Sequence, residues 1–79
     1  MLQAANLFNW VARNIRQEDY AFTVEVRGTK WDAYRFVKDG KKGTMAYMKN
    51  PDGTFTIGVF QAGTLTEEEV RRALIESED

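Results

Sequence analysis

Asn50-Pro51-Asp52-Gly53 constrains this chain more than any other stretch. Pro51 presets φ for the first corner of a type I turn and Asp52 suits the second. Gly53 takes the left-handed position that a three-residue hairpin loop needs. On either side, Met45–Met48 and Phe55–Phe60 are rich in strand-forming residues, so the stretch reads as a hairpin. Gly28-Thr29 and Asp39-Gly40 supply two more turns at short spacing. Strands are therefore expected over 20–27, 31–38, 43–49 and 54–60, joined as an antiparallel meander.

Helical spacing brackets the sheet. Over residues 2–17, Ala4, Phe8, Val11 and Ile15 recur on one face, with Gln3, Asn6, Asn9, Arg13, Arg16 and Gln17 opposite. Trp10 falls among the polar residues, which marks it as a contact anchor for a partner. Toward the end, Thr66 is a natural N-cap and Glu69 completes a Thr-x-x-Glu capping box. Val70, Ala73 and Leu74 form the apolar stripe of that helix, and residues 76–79 are expected to fray. The order is α-β-β-β-β-α, an α+β fold in a single domain over 1–79, with both helices expected on one face of the sheet.

The turn choices also set the register. A three-residue loop at Gly28–Lys30, a two-residue turn at Asp39-Gly40 and a bulged loop after Lys49 agree with one another. They place Phe22, Val24, Val26, Tyr34, Phe36, Met45, Tyr47, Phe55, Ile57 and Val59 on an inner face. The other face then carries Arg27, Trp31, Ala33, Arg35, Val37, Met48 and Phe60, more apolar than an idle solvent face should be. With Gly28-Thr29 as a two-residue turn instead, Trp31 and Val37 go inward and Tyr34 and Phe36 come out; either way such a face calls for a cover.

Composition narrows the chemistry. The chain of 79 residues has no cysteine and no histidine, which removes disulfides, the usual zinc sites and a histidine base. Ser77 is the single serine and sits near the chain end. A non-enzymatic protein is expected, with no metal, cofactor or small-molecule substrate indicated. No apolar run reaches the ~20 residues of a membrane span, so a cytoplasmic setting is the natural expectation. The net charge of −1 conceals a segregation. Between residues 27 and 49, seven basic residues face two acids, a balance of +5; from residue 64 onward, six acids face two arginines, a balance of −4.

Two classes of binding function follow. The first is a protein-interaction module, an inhibitor or adaptor, contacting another protein or a second copy through Trp10, Trp31, Arg35, Met48 and Phe60. Small inhibitors encoded by viruses or mobile elements share this compact, cysteine-free type, an association that no motif carries. The second is nucleic-acid binding by a basic, aromatic sheet face made of Arg27, Lys30, Trp31, Arg35, Lys41 and Lys42. The element order is similar to that of double-stranded RNA-binding domains. Thr66-Glu67-Glu68-Glu69, however, stands where those domains grip phosphates with lysines, and a fourth strand is extra, so no family is assigned. The near-zero net charge favours the protein-binding class.

Overall fold

Two turns of the same kind build the centre of the sheet. Arg27-Gly28 and Asp39-Gly40 both have positive φ at each position (51° and 81°, 54° and 76°), the geometry of two-residue hairpins whose twist matches that of the strands. They join β1 (Tyr20–Val26), β2 (Thr29–Lys38) and β3 (Lys41–Lys49), and the Asn50–Gly53 loop leads into β4 (Phe55–Ala62). The strands lie in the order β1-β2-β3-β4, all antiparallel, the meander that the turn spacing predicts. Helix α1 (Ala4–Asn14) and a 3₁₀ turn (Gln17–Asp19) precede the sheet, and α2 (Glu67–Glu78) follows it. The structure is a computed structural model that describes the backbone of residues 4–78 and the side chains from Asn9 to Ser77. Residues 2–3, expected at the start of the first helix, and the side chains of Ala4 and Phe8, expected on its apolar face, lie outside the described residues.

The α+β class and the element order are as expected, but the helices do not share a face. Val70 and Leu74 of α2 pack on Val24, Val26, Trp31, Ala33, Ala46 and Val59. Trp10 and Val11 of α1, with Ile15 just after it, pack on the opposite side, against Tyr34, Phe36, Met45, Tyr47, Ile57 and Phe60. The sheet is thus the middle layer of three. Each face is apolar, and one short helix cannot cover both, so the two helices divide the work.

Three local features explain the difference from the expected register. The first hairpin turns at Arg27-Gly28 and not over Gly28–Lys30, so Val24 faces Trp31 where Tyr34 was expected. That offset of three residues is odd and exchanges the faces. The β1 ladder shifts again between Tyr20 and Phe22, and the β4 ladder between Ile57 and Val59, where Gly58 is the extra residue. Phe22, Val24, Val26 and Val59 therefore lie on the α2 side, away from their expected neighbours, whereas Phe60 joins the α1 side. The second hairpin is as expected, with Tyr34 opposite Met45 and Phe36 opposite Gly43.

The cover on the second face is α2 itself. Its capping box forms in both directions: Thr66 N donates to Glu69 Oε1 (3.0 Å) and Glu69 N donates to Thr66 Oγ1 (3.2 Å). The helix continues through the residues expected to fray as far as Glu78, and Ser77 Oγ donates to the Leu74 carbonyl (2.9 Å), satisfying one terminal acceptor. Its approach to the sheet is fixed by Thr44. That buried hydroxyl donates to Gly63 O (2.8 Å) and accepts from Leu65 N (3.0 Å) and from Arg35 Nη1 (2.8 Å).

Candidate functional site

Several residues expected at a binding surface are instead structural. Trp31 is 6% exposed and lies under α2, its ring 2.6 Å from where a Cβ on Gly58 would sit. Its indole N–H has no acceptor among the described residues. Arg35 is half-buried: besides Thr44 it donates to the Leu65 carbonyl (2.6 Å), and its guanidinium stands 5.3 Å over the Phe22 ring. Met48 packs at the margin of the same core. The expectation that Trp31, Arg35 and Met48 face a partner is corrected by α2, which occupies that face.

The basic set is not brought together either. Arg27 and Lys30 stand at the β1–β2 turn, Lys41 and Lys42 at the β2–β3 turn, and the ten-residue β2 separates them by roughly 30 Å. With Trp31 buried and Arg35 engaged, no single basic, aromatic platform joins these six residues.

On the α1 side the aromatic residues form two groups. Toward the β2–β3 turn, Phe36 and Phe60 stack (4.5 Å, 17°), and Trp10 presents its edge to both rings at 5.4 and 5.8 Å. Phe36 lies so close over Gly43 that a Cβ there would fall 2.2 Å from the ring. Trp10 is therefore the residue that clamps α1 to the sheet, half-buried, with Lys38 Nζ 6.0 Å above its ring. The polar-face placement expected for Trp10 is corrected, because α1 turns Trp10 and Val11 together toward the sheet.

The second group is an aromatic row crossing all four strands. Tyr20 meets Tyr34 (5.7 Å), Tyr34 meets Tyr47 (5.6 Å), and Tyr47 meets Phe55 (5.1 Å). It contains every tyrosine of the chain. The ends of the row are open, Tyr20 at 43% and Phe55 at 44% exposed, while Tyr34 between them is buried. Between the row and the last turn of α1 runs a groove of about 290 Å³ lined by Val11, Ala12, Ile15, Tyr34, Met45, Tyr47, Phe55 and Ile57, with Arg16 and Gln17 at its rim. That volume is at the lower limit of small-molecule pockets, room for a few side chains.

The groove offers apolar and aromatic contact area with a polar rim. Burial first, and then a hydrogen bond with the Tyr47 phenol, push the Tyr34 hydroxyl up to about 12, so it stays protonated at neutral pH. A nucleophile or base would need the opposite shift. Among the described residues no group of three His, Cys, Asp or Glu side chains could hold a metal ion, and no helix is long and apolar enough to cross a membrane. The row is hidden in the sequence because Tyr34, Tyr47 and Phe55 are expected on the inner face, packed within the core, and Tyr20 stands outside that set. One available signal is that three of its four rings are tyrosine, the aromatic suited to sites with one wet edge. No family model matches the chain, and comparisons with curated proteins and with solved structures return no match.

Proposed function

We propose that this protein is a small, non-enzymatic protein-interaction module of the cytoplasm, an inhibitor or adaptor that takes an apolar segment of another protein into the groove between α1 and the sheet. The observation that carries the reading is the run Tyr34–Tyr47–Phe55 lining an open groove, with Tyr20 continuing the row beside it. Tyrosine and phenylalanine offer large rigid contact area with little conformational freedom to lose, the property that makes aromatic residues binding hot spots. Val11, Ile15 and Ile57 add an aliphatic wall, and Arg16 and Gln17 supply a polar rim. The size suits two or three side chains of a peptide segment better than a whole cofactor.

Selection of a displayed random-peptide library against the immobilised protein tests this. Enriched peptides should carry paired apolar or aromatic residues and lose binding at least about tenfold to Ala12→Arg, which fills the groove from an exposed position. Phe55→Ser should weaken them in the same direction. Failure to enrich any peptide, or peptides indifferent to Ala12→Arg, would overturn the assignment.

A further inference from the structure

β4 closes one side of the sheet, and no strand lies beyond it among the described residues. The backbone groups it turns outward follow from two hydrogen bonds at its ends. Asn50 N donates to Thr54 O (2.7 Å), and Gly63 N donates to Lys42 O (2.8 Å), so Thr54 and Gly63 address β3. Alternation from both ends, interrupted by the extra residue Gly58, leaves Phe55, Ile57, Phe60 and Ala62 with their N–H and C=O groups directed outward.

Edge strands are ordinarily guarded by charge or proline. At the other edge, β1 carries Glu25 and is flanked by Glu18, Asp19 and Arg27. β4, Phe-Thr-Ile-Gly-Val-Phe-Gln-Ala, has neither charge nor proline over its eight residues. Its two ends are exposed, with Phe55 and Thr56 at one and Gln61 and Ala62 at the other.

We propose that β4 pairs antiparallel with β4 of a second copy, about a two-fold axis perpendicular to the sheet and passing between Gly58 and Val59. The bulge selects this register. Without it, residues of like orientation would be an even number apart; with it, Phe55 matches Ala62, Thr56 matches Gln61 and Ile57 matches Phe60, each pair sharing one face. The Phe55–Ala62 and Ile57–Phe60 pairs are also those whose backbone groups point outward, so each exchanges two hydrogen bonds, and the two-fold axis repeats them.

Charge is favourable along the joint. No ionised group of β4 is buried, and exposed Asp52 of one copy approaches the end of the other sheet that bears Lys41 and Lys42, two strand spacings or about 10 Å away. An extended backbone is the one structure that satisfies a row of backbone donors and acceptors, and this edge is complementary to itself. The pairing uses the backbone of β4 and does not rest on the groove reading.

Sedimentation equilibrium of the full chain up to ~1 mM tests the proposal, alongside two variants at the exposed, face-sharing pair of positions 56 and 61. The wild type should dimerise. Thr56→Glu with Gln61→Glu sets like charges opposite each other twice and should weaken the dimer about tenfold or more. Thr56→Glu with Gln61→Lys converts both oppositions to attraction and should restore it. A wild type that stays monomeric at ~1 mM, or a dimer that the paired glutamates leave unchanged, would overturn the proposal while leaving peptide binding in the groove untouched.

Discussion

Thr44 and Gly58 show how single residues hold the α2 side together. Thr44 is fully buried, and its hydroxyl links β3 to Gly63, Leu65 and Arg35. Thr44→Val keeps the shape but strands two donors and an acceptor, so a loss of about 2–3 kcal/mol is expected in urea unfolding. Gly58 is required for a different reason: a Cβ would fall 2.5 Å from Leu74 and 2.6 Å from Trp31, both parts of the core. Gly58→Ala should cost about 1–3 kcal/mol through overpacking, read in the same assay. Trp31→Ala should cost about 3–5 kcal/mol, the behaviour of a core residue and not of a surface anchor. Tyr34 gives a pH signature. Its folded-state pKa of about 12 lies above the unfolded value near 10, so the stabilisation it supplies is complete below pH 10 and is lost as pH rises toward 12. Unfolding free energy should fall there by up to about 1.4 kcal/mol per pH unit from this group, and Tyr34→Phe should flatten that slope.

The elements divide into those set by local chemistry and those set by tertiary packing. The α2 cap was legible because Thr66 and Glu69 satisfy each other's neighbouring backbone donors, a matter of four consecutive residues. Hydrogen bonds from the Thr66 backbone N–H and then from its side chain hold the Glu69 carboxyl below its usual range, and hydrogen bonds from Thr54 do the same for Asp52. Both groups therefore stabilise the fold above their unfolded pKa values and lose that contribution as pH falls through the lower folded ones. Thr66→Ala should cost about 1 kcal/mol at neutral pH in thermal unfolding. The strands and the Asp39-Gly40 turn were equally legible, because Asp tolerates the left-handed region and Gly prefers it. Arg27 was not: nothing in its chemistry announces φ of 51°, and a turn placed at Gly28–Lys30 puts Phe22, Val24 and Val26 on the wrong face, while the bulge after Tyr20 keeps that ring beside Tyr34. Gly58 was equally silent, since its reason lies in Trp31 and Leu74, distant in sequence. α1 depends on packing most of all, through Trp10 on Phe36 and Phe60. Trp10→Ala should leave the sheet's hydrogen-exchange protection in place while α1 amides exchange much faster.

At the scale of the whole molecule, a sheet with two apolar faces and two short helices accounts for both the core and the groove. α2 seats Val70 and Leu74 almost completely, whereas α1 closes only the Phe36–Phe60 end of its face and leaves the tyrosine row half open. That division explains why the candidate site was the least legible part of the sequence. A second face rich in Trp31, Ala33 and Met48 looked available until α2 was placed on it, and the residues that remain available were assigned to the interior. The charge segregation likewise resolves into separate ends of the sheet and a helix cap. The most direct measurement is a titration of a library-selected peptide into isotopically labelled protein, followed by amide shifts in NMR spectra. Perturbations should concentrate at Val11, Ala12, Ile15, Tyr34, Tyr47, Phe55 and Ile57. A map centred on Val24, Trp31 and Leu74, or on the lysines of the β2–β3 turn, would contradict the account.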